Sequence, residues 1–201
     1  MKEGLRSAIP NGRIAAALLC AIALLCAMSG SAQQTTGGGR VRELNNQLLQ
    51  AYAELQSSPT VAGSIRAQAA ALFQQRAGAL ASLIEQNPEE ALRLAFPADL
   101  LSELAAAFPG ARPHLESHGR WEGPIEYIIE DSVDFKSHRN IRAMAVRGET
   151  LFIQFAGAEP AGLMNGDTLR VDGVRAGNQV AAENGSIIRA ASNRRPLHPR
   201  A

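Results

Sequence analysis

Apolar residues fall into three spacings along this chain, and each spacing predicts a different kind of structure. Between Ile14 and Met28 they form a nearly unbroken run. From Val41 they recur at three- and four-residue steps, the period of one helix face. From Trp121 they alternate with polar residues, the period of a strand with one buried face.

The first run follows Lys2, Arg6 and Arg13 and closes on the small residues Gly30 and Ala32, the order of a secretory signal. It is shorter than the roughly 20 residues a bilayer span prefers, and "SGSAQQ" after it carries no basic stop. The expectation is a signal peptide over 1–32, cut after Ala32, a secreted or periplasmic destination, and no stable membrane span after cleavage. Cys20 and Cys26 follow Leu19 and Leu25 rather than the small residue a lipid-anchor signal needs, so they read as apolar-compatible thiols in a discarded segment. The chain after the cut has no Cys and must be held by its core alone, for which it is long enough.

Residues 33–40, with "QQTTGGG", read as a flexible leader. Leu44, Leu48, Leu49, Tyr52 and Leu55 then form a one-sided stripe, stopped by Ser57, Ser58 and Pro59. A second helix is expected from about Val61 to Gln86, with Ile65, Ala69, Leu72, Phe73, Leu80, Leu83 and Ile84 on its stripe and Gly78 as a candidate bend. In "NPEEALRLAF", Asn87 can cap, Pro88 suits the first turn, and Glu89 and Glu90 meet the positive end of the helix dipole. Pro97 opens another short helix, and Pro109-Gly110 closes it. The helical segment therefore covers 41–110.

Past the linker "PGARPHLESHG", Trp121, Gly123, Ile125, Tyr127 and Ile129 share one side of an extended run, with Glu122, Glu126 and Glu130 opposite. "NIRAMAVRGETLFIQFAG" holds two more strands joined by a tight turn at "RGET". "DTLRVDGV", "NQVAAEN" and "SIIRA" follow, the last after an expected Asn184-Gly185 hairpin turn. In "GDTLRVDGVRAGNQVAAENGS", Leu169 and Val171 should face inward and Arg170 and Asp172 outward. The predicted fold is α+β: a helical segment followed by a small antiparallel OB-like β-barrel over 119–190, with a basic tail at 191–201.

"LRLAFPADLLSEL", "LFIQFAG" and the ribbon from Gly166 to Ser186 together resemble the non-catalytic N-terminal region of secreted bacterial multidomain proteins, such as those carrying gametolysin-like zinc metallopeptidases. The resemblance covers roughly Pro88 to Arg189 and rests on apolar and turn patterns. It implies a pro-region or accessory module. None of His114, His118, His138 and His198 belongs to an "HExxH" helix, so the chain is not itself such a peptidase.

Charge and chemistry narrow the picture further. Loss of three bases and one acid with the signal turns a formal charge of +1 into −1, which gives no reason to expect nucleic acid as a bulk partner. His114 and His118 flank Glu116 but sit between Pro113 and Gly119, on too short a helix to present a metal site. Glu130, Asp131 and Asp134 lack the Gly and closing Glu of a Ca²⁺ loop. "GxSxG" and P-loop patterns are absent, so no enzymatic activity and no cofactor are expected. The barrel remains the candidate for function, with Phe152, Arg142, Arg147 and Arg170 as expected contacts. Two partner classes follow: a secreted or envelope protein such as a peptidase, bound by an exported interaction module, or a carbohydrate or other anion. A truncated remnant of a peptidase precursor is the third alternative.

Overall fold

The computed structural model describes residues 37–58, 62–131 and 138–188. The expected signal peptide, residues 33–36 of the leader, Val61, Asp134 and the basic tail lie outside them.

Helix α1 (Gly37–Ser57) begins inside the stretch expected to be a flexible leader. The cause is Val41, fully buried, which seats the preceding turn against its neighbours, while Arg40 donates to Gln75 at 2.7 Å and Arg42 to Glu90 at 2.9 Å. Helix α2 (Ala62–Gln86) continues through Gly78 without a break. Helix α3 (Pro88–Leu94) starts on Asn87, whose side chain accepts the Glu90 N–H at 3.0 Å, and helix α4 (Ala98–Ala107) follows Pro97. One cluster joins these elements: Leu48 and Leu55 of α1, Ile65, Ala69 and Phe73 of α2, and Phe96, Leu104 and Phe108 around α4. Each such Leu, Ile or Phe contributes about 1.5–3 kcal/mol by leaving water.

The linker is ordered. A 3₁₀ turn over Pro109–His114 leads into strand β1 (Ser117–Asp131), and β2 (His138–Val146), β3 (Glu149–Phe155), β4 (Thr168–Ala176) and β5 (Gln179–Ile188) complete a single sheet. Its order, β1-β2-β3-β5-β4 and back to β1, closes into a ring. The expected all-antiparallel pairing needs correction: β3 and β5 run parallel, from Phe152 opposite Gln179 to Phe155 opposite Ala182. The chain crosses the end of the ring between β3 and β4, so β5 returns in the direction of β3.

β1 holds the ring shut by pairing with β4 over Ser117–Pro124 and with β2 over Ile125–Asp131. At the changeover a Cβ on Gly123 would stand 2.1 Å from the Ala145 carbonyl oxygen, so only glycine permits the strands to approach this closely. The expected Asn184-Gly185 turn is also absent. β5 passes straight through it with a register shift at Asp172/Gly173, and the turn between β4 and β5 falls at Gly177-Asn178 instead. Gly185 is there for space, because a Cβ would meet the Phe155 ring at 2.7 Å.

Ile125, Met144, Leu151, Ile153, Leu169, Val171, Val180 and Ala182 fill the ring. Leu169 and Val171 thus face inward as expected, whereas Ile129, placed with them by alternation, is 67% exposed because β1 continues beyond the ring. On the outer surface Ala176 and Ala181 pack with Val41, Leu80, Leu83, Ile84 and Ala91 of the helices. All described residues belong to one unit.

Candidate functional site

The ring has two mouths, and the structure treats them differently. Strand alternation places Tyr127, Arg142 and Phe155 at one and Trp121, Val146 and Arg175 at the other, with the apolar filling between them.

The segment 156–167 covers the first mouth. Glu159 accepts hydrogen bonds from the Tyr127 hydroxyl and from Arg142. Leu163 packs onto the core, and Asn165 Oδ1 accepts the Tyr127 N–H at 2.5 Å. The Arg142 guanidinium lies 5.8 Å from the Tyr127 ring centre and 5.9 Å from that of Phe155. Its hydrogen bond holds the Glu159 carboxyl below the usual carboxylate range, against the opposing effect of burial. Burial, and then the Glu159 carboxylate, push the Tyr127 hydroxyl up. Arg142 is thus held at this mouth by Glu159, away from the second mouth.

The second mouth is a cleft of about 540 Å³ lined by Arg120, Trp121, Glu122, Val146, Arg147, Glu149 and Arg175. Cross-strand pairs surround it. Arg120 donates to Asp172 at 2.7 Å, Arg170 to Glu122 at 2.8 Å, and Arg175 to Glu149 at 2.8 Å. The first two pairs sit directly opposite each other across β1 and β4, where opposite charges stabilise a sheet modestly. The hydrogen bonds to Asp172 raise the Arg120 pKa further. Each of these cations is thus answered by an acid.

Arg147 is the exception, exposed and without an ion pair among the described residues. It occupies the first position of the two-residue Arg147-Gly148 turn, the tight turn expected at "RGET". Both residues have positive φ, +50° at Arg147 and +87° at Gly148. Such a turn favours Asn-Gly, and an L-residue with a long side chain there costs about 1–2 kcal/mol. The turn therefore gives up stability while holding at the cleft a guanidinium that has no ion pair among the described residues. Trp121 forms the facing wall: half-buried, it packs onto the ring core and lies over Gly119, where an added Cβ would be 3.4 Å from the indole.

Of the four expected contacts, Arg147 lines this cleft and Arg170 reaches its edge through Glu122. Phe152 is half-buried on the outer face, paired with Ala143 and Gln179, on a strand that α3 approaches from outside. The structure does not bring the four together. The expected inward placement of Trp121 holds, since it packs onto the ring core, and the same residue also lines this cleft.

His114 and His118 do not converge on a metal, and no group of three or more potential ligands occurs among the described residues. A His118 ring nitrogen instead lies 2.7 Å from the Phe96 carbonyl oxygen. Glu116 is not in a solvated linker but is buried in a two-pronged pair with Arg76. No helix among the described residues is long and apolar enough to cross a membrane.

No protein family, curated protein or solved structure matches the chain.

Proposed function

We propose that this chain is an exported, non-catalytic binding module built on an OB-like barrel, and that the Trp121–Arg147 cleft takes an acidic carbohydrate. The OB-like reading is supported by the strand order, the parallel β3/β5 closure and a long β1 shared between β2 and β4. Such barrels bind oligosaccharides and oligonucleotides through one face and its neighbouring loops. Here the helices cover part of the outer face, and the open mouth is the concave alternative.

The observation that carries the reading is Arg147, a cation with no ion pair among the described residues, held at unfavourable φ opposite a partly exposed indole. A sugar ring can lie against the Trp121 face while its carboxylate meets the guanidinium. The surrounding Arg–acid pairs leave about one surplus positive charge, enough to meet one carboxylate of an acidic sugar chain at a time. Thermal melting tests this. Tetragalacturonate should raise the midpoint progressively with its concentration, and neutral cellotetraose should not. An equal shift with both would remove the acidic group from the proposal, and no shift with either would remove the carbohydrate.

A second reading, an accessory module for a secreted or envelope protein such as a peptidase, accords with the resemblance of Pro88–Arg189 to the N-terminal regions of such proteins. It is favoured by the exposed end of β1.

A further inference from the structure

Where β1 leaves the ring it has, among the described residues, a strand neighbour on one side only. β4 stops pairing with it at Pro124, and beyond that point the described partner is β2. The orientation of the backbone groups is fixed by three hydrogen bonds on the abandoned side. Ile125 N–H donates to Asp167 O at 2.9 Å, Gly166 N–H to Ile125 O at 2.8 Å, and Tyr127 N–H to Asn165 Oδ1 at 2.5 Å. Residues 125 and 127 therefore turn their polar groups away from β2, and by strand alternation Ile129 does the same. The segment around Asn165 takes the place of the missing strand as far as Tyr127 N–H. Past it, the N–H and C=O of Ile129 have no backbone partner among the described residues.

At Ile129 this edge lacks, among the described residues, several of the devices that usually block strand addition. It has no proline or lysine between Ile125 and Glu130, and no bulge is recorded in its pairing with β2. Ile129 is 67% exposed and Ile128 43%, and Met164, next to the Asn165 cap, is 66% exposed. Glu126 and Glu130 share the opposite face from Ile129, are exposed, and have no ion pair among the described residues.

We propose that the free edge of β1 at Ile129 binds an extended segment of a partner protein by strand addition, and that the segment alternates apolar with basic residues. The alternation follows from the pleat. The residue opposite Ile129 shares its face and meets an apolar side chain. The residue on one side stands opposite Glu130 and meets its carboxylate; the residue on the other stands opposite Ile128, from where a long basic side chain reaches Glu126 and Glu130 on the diagonal. In antiparallel register the apolar residue exchanges both backbone hydrogen bonds with Ile129, and Asn165 marks where pairing must end. This site is separate from the cleft, so the two proposals stand or fall independently.

The probe is an end-capped, fluorescein-labelled heptapeptide alternating arginine and valine, titrated against the full chain by fluorescence anisotropy. Its control carries N-methyl groups on the valines, which keeps charge and side chains but removes the donors. Saturable binding is expected, weakened roughly tenfold or more by N-methylation. Ile129→Pro should weaken the unmodified peptide comparably, because the N–H it removes faces the free edge and not β2. The double variant E126Q/E130Q should lose most of the salt dependence. Equal affinity for the two peptides overturns the proposal whether or not Ile129→Pro folds. Absence of saturable binding, or unchanged affinity in a folded Ile129→Pro variant, overturns it as well.

Discussion

Arg76 and Glu116 meet in a buried, two-pronged ion pair, with nitrogen–oxygen distances of 2.5 and 2.7 Å. Their side chains are 1% and 0% exposed. Arg76 also donates to Asn45 Oδ1 at 2.5 Å and lies 3.8 Å over the Phe96 ring, while Glu116 accepts the Phe96 N–H at 2.8 Å. One side-chain pair thus ties α1, α2, the α3–α4 connection and the entrance to β1, and so fixes how the helices seat on the ring.

Removing one partner strands the other charge without water. Glu116→Gln and Arg76→Leu should each destabilise the protein by about 3–5 kcal/mol, and the double variant should cost less than the two added together. Urea denaturation of all four proteins measures this. Additive losses would show that the pair is not coupled.

Arg147 makes the opposite prediction. Arg147→Asn suits the positive φ of the turn and should stabilise the protein by about 1 kcal/mol in the same assay, while weakening any acidic ligand. A variant that loses stability would mean that the guanidinium has a structural partner.

The sequence made the helices and the strand faces legible because their signals are local. Leu44, Leu48 and Leu55 repeat on one helix face, and Leu169 and Val171 alternate with Arg170 and Asp172. The parallel pairing of β3 with β5 has no local signature; it follows from ring closure. Asn184-Gly185 was misread because a glycine required by the Phe155 ring is indistinguishable in sequence from one required by a turn. Arg76 could have been found. It falls on the stripe of Ile65, Ala69, Phe73, Leu80 and Leu83, and a lone cation on a buried stripe demands an acid. Which acid answers it depends on a contact forty residues away.

Glu159 gives a pH dependence. Its carboxyl titrates below its ordinary value when folded, so its contribution to stability is present above the unfolded pKa and lost as pH falls through the folded one. Glu159→Gln should therefore lower the melting midpoint near about pH 7 and converge on the wild type as pH falls below the ordinary carboxylate range, through the folded pKa. Tyr127 shifts the other way, so its contribution should fade as pH rises past the usual tyrosine range. A gap between variant and wild type that does not change with pH would contradict the part given to Glu159.

Gly123→Ala places a methyl group against the Ala145 carbonyl at the β1 changeover. It should cost about 1–3 kcal/mol or more by forcing the strands apart. Circular dichroism during thermal melting reads the loss. A midpoint equal to that of the wild type would mean that β1 does not pass this close to β2.

The central claim is that the open mouth binds an acidic sugar between Trp121 and Arg147. Trp121 is the sole tryptophan, so its emission reports on the cleft alone. Titration with tetragalacturonate should change that emission saturably, cellotetraose should change it far less, and Arg147→Ala should abolish the difference. An emission that stays flat with both sugars, or an identical response in Arg147→Ala, would contradict the claim.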